Sequence, residues 1–223
     1  MILNNFSFVV PTRIEFGVGI TEKVGEEAKK FNPKKILIVS DKGVISAGIT
    51  DKVEKSLKEQ NLPYVIYSDF SPNPRDFEMN KAAEFAMNEG IDLIIAVGGG
   101  SVLDSAKAIG TLITHGGGSV LDYCGVFKLE REITPLIAIP TTAGTGSEVT
   151  PFAVVTNTEK RIKESIWDFK ASAKVALMDP SLLLNLPANI MASTGIDALT
   201  HAVEAYTCKE ATPYTDMFAL YAI

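Results

Sequence analysis

The sequence predicts an α/β fold built on a parallel sheet with helices on both faces, and three observations carry that prediction. Short apolar segments, "KILIVS", "YVIY", "DLIIAV" and "LIAI", alternate with longer stretches of helical periodicity. Each segment is apolar throughout rather than at every second residue, as expected for strands covered on both faces. From about Pro187 the pattern changes to helix upon helix. A boundary is therefore expected within 180–187, dividing an α/β part (1–184) from the start of a helical part (185–223).

The elements follow in order. "FSFVV" and "IEF" are expected as an N-terminal ribbon with an edge open for pairing. "TEKVGEEAKKF" reads as a helix with Thr21 as its N-cap. "KILIVS" is a buried strand ending at Asp41, where "DKG" turns the chain. "ITDKVEKSLKEQN" places Ile49, Val53 and Leu57 on one face of an amphipathic helix. "YVIY" is the next strand, followed by "SPNP" as a rigid loop, a helix over 76–90 and the strand "DLIIAV".

Composition excludes several classes of function. The 223 residues are 46% hydrophobic, enough for one sizeable domain or two small ones. A net charge of −6, with both signs well mixed, argues against nucleic acid or an anionic membrane as partner. No apolar stretch reaches bilayer-spanning length, and the opening "MILNNFSFVVPTRIEF" lacks the features of a secretory leader. Cys124 and Cys208 form no C-x-x-C pair, so two reduced cysteines and a cytoplasmic location are expected.

Three stretches carry chemistry. In "IIAVGGGSVLDSAKAIG" a buried strand runs into Gly98, Gly99 and Gly100 and a helix opens at Ser101. Glycines let the backbone approach a bulky anion, and a helix start offers free N–H groups and partial positive charge to a phosphate. The bland reading is a tight strand-to-helix turn; this is not the G-x-G-x-x-G pattern. "IPTTAGTGSEVT" sets Thr141, Thr142, Thr145, Ser147 and Thr150 among glycines after another apolar strand, a source of hydrogen bonds to a ligand or merely a loop rich in turn formers. Asp41, at a strand end, is placed to accept from a ribose 2′-OH and to repel a 2′-phosphate, which favours NAD over NADP. "TGIDALTHAVEAY" places Asp197 and His201 one turn apart, after Thr194 and Gly195, among apolar neighbours. Such a pair is a partly buried half of a metal site or a simple surface ion pair.

Together "GGGSVLDSAKAIG", "IPTTAGTGSEVT" and "TGIDALTHAVEAY", in this order and spacing, resemble the iron-containing (group III) alcohol dehydrogenases, from about residue 6 to the end, and most of all the members acting on short-chain alcohols. The resemblance implies a Rossmann-like nucleotide-binding domain followed by the first helices of an all-α domain, the architecture of dehydroquinate synthase. It implies NAD and a divalent ion, Fe²⁺ or alternatively Zn²⁺, between the two domains. Carried over by motif, Asp41, Asn73, Gly99, Gly100, Ser101, Val102, Leu103, Asp104, Thr141, Thr142, Thr145, Ser147, Thr150, Val154 and Lys163 match cofactor-contacting positions. Asp104 and Glu148 are expected to position rather than react, and Lys163 to reach a ribose hydroxyl, although "TEKRIK" also reads as a solvated basic stretch. Asp197 and His201 match the first two of four metal ligands.

The family's other two ligands are histidines in later helices, and this chain has only His115, in the loop "ITHGGGS", and His201. "FALYAI" ends in mid-helix, so a piece of a longer dehydrogenase is expected. The implied activity is NAD- and metal-dependent interconversion of a small alcohol and its aldehyde or ketone, by a homodimer when full length. The alternative is a nucleotide-binding fragment or interaction protein without turnover.

Overall fold

The structure, a computed structural model, describes residues 5–71 and 73–223; Pro72 of the "SPNP" loop lies outside them. Among the described residues nine strands and seven helices follow in the order β1 (Arg13–Phe16), α1 (Val24–Lys29), β2 (Ile36–Ser40), α2 (Lys42–Ser46), α3 (Ile49–Glu59), β3 (Tyr64–Tyr67), α4 (Asp76–Asn88), β4 (Leu93–Gly98), α5 (Gly100–His115), β5 (Gly125–Val126), β6 (Leu136–Pro140), β7 (Phe152–Asn157), β8 (Ile162–Trp167), β9 (Val175–Met178), α6 (Ala188–Thr207) and α7 (Pro213–Ala222).

Six strands form one sheet in the order β1-β9-β6-β4-β2-β3. Every pairing in it is parallel, as the uniformly apolar strands require. Alternation along each strand serves two cores. Ile36 and Ile38 of β2 and Leu93, Ile95 and Val97 of β4 pack with Val24, Val53 and Leu57 of α1 and α3. Leu37, Val39, Ile94 and Ala96 pack on the other face with Met79, Ala82 and Ala86 of α4 and Leu103, Ile109 and Leu112 of α5. A second sheet, β5-β8-β7, lies beyond α5 and sends Ala153, Val155 and Ile166 into the same core. Among the described residues, no helix is long and apolar enough to cross a membrane.

The structure corrects several local expectations. No ribbon joins residues 6–10 to "IEF". β1 instead pairs in parallel with β9, in the register Arg13 to Val175, and Pro11 between the two segments has no N–H to give a hairpin ladder. Residues 6–10 form no strand; Phe8 stacks on Tyr214 and Phe218 of α7, with ring centroids 5.1 and 5.9 Å apart. Thr21 is not an N-cap. It lies inside a 3-10 turn over Ile20–Lys23 that starts at left-handed Gly19. The amides of Gly19 and Thr21 donate to Asp179, 3.0 and 3.3 Å away at the far end of the chain. A long-range carboxylate thus replaces the local cap. "DKG" opens α2 rather than a turn, because the Asp41 carboxylate accepts from the Val44 amide at 2.9 Å.

Candidate functional site

β2 lies between β3 and β4, so the connections leaving its neighbourhood run in opposite directions and open a crevice beyond the carboxyl ends of the strands. Three predicted stretches meet there: Asp41 follows β2, the glycine junction joins β4 to α5, and Thr141 to Thr150 follow β6.

The junction is built on close approach. α5 begins at Gly100, with Gly99 as its extended N-cap, one residue earlier than expected. A Cβ on Gly100 would lie 2.7 Å from the Thr145 side chain, and one on Gly99 would lie 3.3 Å from Thr142. The glycines therefore let the threonine loop close against the helix start. The amides of Val102 and Leu103 donate to the Gly99 carbonyl, which leaves those of Gly100 and Ser101 without an intrahelical acceptor at the helix start.

Two adjoining clefts share Gly100, Ser101 and Thr145. The first, of about 660 Å³, is lined by Asp41, Gly99 and Val102, by Thr141 and Thr142, and by Ile190 and Thr194 of α6. The second, of about 710 Å³, takes Asn73, Asp104, Ser147, Thr150, Val154 and Lys163 on one side and Asp197 and His201 on the other. Leu103 is the exception among the predicted residues. Its side chain is buried in the core and its amide is bonded to Gly99, so it supports the loop from behind.

Asp104 is a positioning group. Its carboxylate accepts from Ser147 Oγ at 2.6 Å and from the Val154 amide at 3.0 Å. Burial pushes its carboxyl up, opposed by the nearby Lys107 ammonium and these hydrogen bonds. Burial likewise pushes up Glu148. Sequence reading missed Lys107 altogether: its side chain is wholly buried, yet its type marks a surface residue. It also missed the wall that α6 contributes, which depends on Gly144. A Cβ there would collide with the Thr194 carbonyl, so glycine admits the α6 backbone against the threonine loop.

The Asp197–His201 pair differs from expectation in two ways. α6 starts at Ala188, so Thr194 and Gly195 lie inside it rather than before it. The pair is exposed, with side chains 44% and 55% accessible, because Ala202 is the buried residue of that stretch. Nε2 of His201 lies 3.7 Å from Oδ1 of Asp197. One carboxylate and one imidazole on a helix face suit a borderline divalent ion such as Fe²⁺ or Zn²⁺. Among the described residues, no third His, Cys, Asp or Glu joins them. His115 is at the opposite end of the 16-residue α5, about 24 Å of helix away. Rather than hanging in a loop, its Nδ1 lies 2.8 Å from the Thr111 carbonyl and its Nε2 accepts from the Arg131 amide.

The family model described as iron-containing alcohol dehydrogenase matches residues 11–180, and that for the C-terminal part of the Fe-containing alcohol dehydrogenase family matches 191–223. The chain is 40% identical to the NAD-dependent methanol dehydrogenase of Bacillus methanolicus, covering 97% of this chain and 57% of that protein. It is 44% identical to a choline dehydrogenase of Bacillus subtilis, covering 97% and 54%. The crystal structure of a 1,3-propanediol oxidoreductase superposes with a TM-score of 0.93 at 40% identity, covering 97% of this chain and 56% of that one. The chain thus spans little more than half the length of these relatives.

Proposed function

Because the chain belongs to the iron-containing alcohol dehydrogenase family, we propose that its two clefts hold the dinucleotide and the reacting carbon of an NAD-dependent, metal-dependent alcohol dehydrogenase. The observation that carries this reading is the meeting of the clefts at the start of α5. One side presents free helix amides, threonine hydroxyls and Asp41, a setting for pyrophosphate and ribose. The other presents Asp197 and His201.

In this reading residues 1–184 form the dinucleotide domain and 185–223 begin the helical one. Thr141, Thr142 and Thr145 donate to the cofactor. Asp41 has one carboxylate oxygen on its own helix start and keeps the other for a ribose hydroxyl, which disfavours the 2′-phosphate of NADP. Asn73, Val154 and Lys163 flank the second cleft, where the nicotinamide end belongs. Asp197 and His201 supply two metal ligands, and further ligands come from outside these 223 residues. Asp197 and His201 would help hold a divalent ion, which would supply Lewis-acid polarisation of the oxygen of a small alcohol or aldehyde. The relatives named for methanol, choline and 1,3-propanediol support a small alcohol as substrate, and the whole protein is read as a homodimer.

Titration with NADH and NADPH tests the cofactor assignment. NADH binds more tightly, and Asp41→Ser narrows the difference; NADPH binding as tightly as NADH to the unaltered chain overturns it. In a chain long enough to complete the donor set, His201→Ala abolishes alcohol oxidation. A second reading, nucleotide binding without turnover, draws on the two-residue donor set, and turnover by the longer chain removes it.

A further inference from the structure

Lys107 lines neither cleft, yet it is the largest side chain in the molecule to be completely buried among the described residues. Its ammonium donates to the carbonyls of Ser147 (2.6 Å), Thr150 (2.8 Å) and Phe152 (2.6 Å) and meets Ser147 Oγ at 3.2 Å. Three donors thus meet three backbone carbonyls of one short loop. The loop curls around the cation with its carbonyls inward, while Ser147, Thr150 and Phe152 line the second cleft. Asp104, one turn earlier on the same face of α5, holds the same stretch through Ser147 Oγ and the Val154 amide of β7.

Burying a charge is costly, so apolar packing alone gives no reason for lysine at this place. Its distinctive capacity is to satisfy several convergent carbonyls where the threonine loop runs into β7. We propose that Lys107 is a positioning residue for the cofactor and substrate cleft: its ammonium sets the path of residues 147–152 and so aims Thr150 and Phe152 at the bound dinucleotide. This rests on the dinucleotide reading above for its consequence, though not for its structural part.

Trp167 is the chain's sole tryptophan, and it stacks on Phe152 at 5.5 Å with the planes 5° apart. Its emission therefore reports the loop without any ligand. Lys107→Met retains length and apolar packing but removes the donors. The expected result, in folded protein at pH 7, is a shifted Trp167 emission and an NADH dissociation constant raised about tenfold. Leu57→Ala, on the opposite face of the sheet, lowers the melting temperature but moves neither readout, which separates positioning from loss of stability. Should Lys107→Met not fold, Lys107→Gln serves instead: its shorter, neutral amide can reach fewer of the three carbonyls and raises the NADH constant two- to fivefold. Native emission and native NADH affinity in folded Lys107→Met, or in Lys107→Gln where the former does not fold, overturn the proposal. Failure of the unaltered chain to bind NADH overturns the dinucleotide reading instead, and the Trp167 shift still decides whether Lys107 sets the loop.

Discussion

The α/β part and the α6–α7 pair are built on opposite terms. Every residue of β2, β4 and β6 is buried, whereas Ala202 is the one buried residue among the twenty of α6. Ile196, Leu199 and Val203 of α6 and Met217, Phe218 and Leu220 of α7 lie exposed. The first cleft therefore draws most of its walls from a self-contained core, with Ile190 and Thr194 of α6 closing one side, while the metal pair rides on a helix held mainly by its contacts with α7 and the threonine loop. Order at the dinucleotide side comes from the sheet, and order at the metal side needs further packing.

That contrast can be broken most directly by paired core and surface truncations. Ile95→Ala, at a wholly buried position, should cost about 2–5 kcal/mol in denaturant unfolding. Leu199→Ala should change stability by under about 0.5 kcal/mol. Equal costs would show that α6 is as well packed as the sheet.

Gly144→Ala sharpens the comparison at the seam. The new methyl collides with the Thr194 carbonyl, and such overpacking costs about 1–3 kcal/mol. Hydrogen exchange should quicken in α6 while β2 and β4 remain protected; uniform quickening would mean that the two parts unfold together. Within the α/β part, Asp41→Ala removes the cap of α2 and should cost about 1 kcal/mol, seen as a lowered midpoint with an unchanged slope.

The remaining effect is a pH dependence. Burial lowers Lys107 from 10.5 to about 8. Between those values the unfolded chain binds more protons than the folded one, so this group's contribution to stability rises with pH across that window. Subtracting the melting profile of Lys107→Met from that of the unaltered protein between pH 8 and 10.5 should reveal the rise, and a flat difference would contradict it.

Much of this was legible in the sequence, for identifiable reasons. The parallel sheet followed from "KILIVS" and "DLIIAV", whose uniform apolarity has no other economical use. The glycine junction was legible because glycine before a helix marks close approach, although the neighbour it admits, Thr145, was not. Contacts made across the chain were invisible: Asp179 capping the turn at Thr21, β1 finding β9, and Lys107 buried beneath the threonine loop all join residues that no local pattern relates. Asp197 and His201 were placed on one helix face correctly, and of the two settings left open for them the partly buried one fails, because the apolar residues around them face solvent.

The central claim is that the dinucleotide side of the site is complete without the metal side. NADH titrated into the 223-residue chain, with energy transfer from Trp167 as the signal and a chelator present throughout, tests it most directly. Saturable binding, unchanged when the chelator is replaced by excess Fe²⁺ or Zn²⁺, is the predicted result. Binding that appears only with added metal, or none at all, would contradict the account.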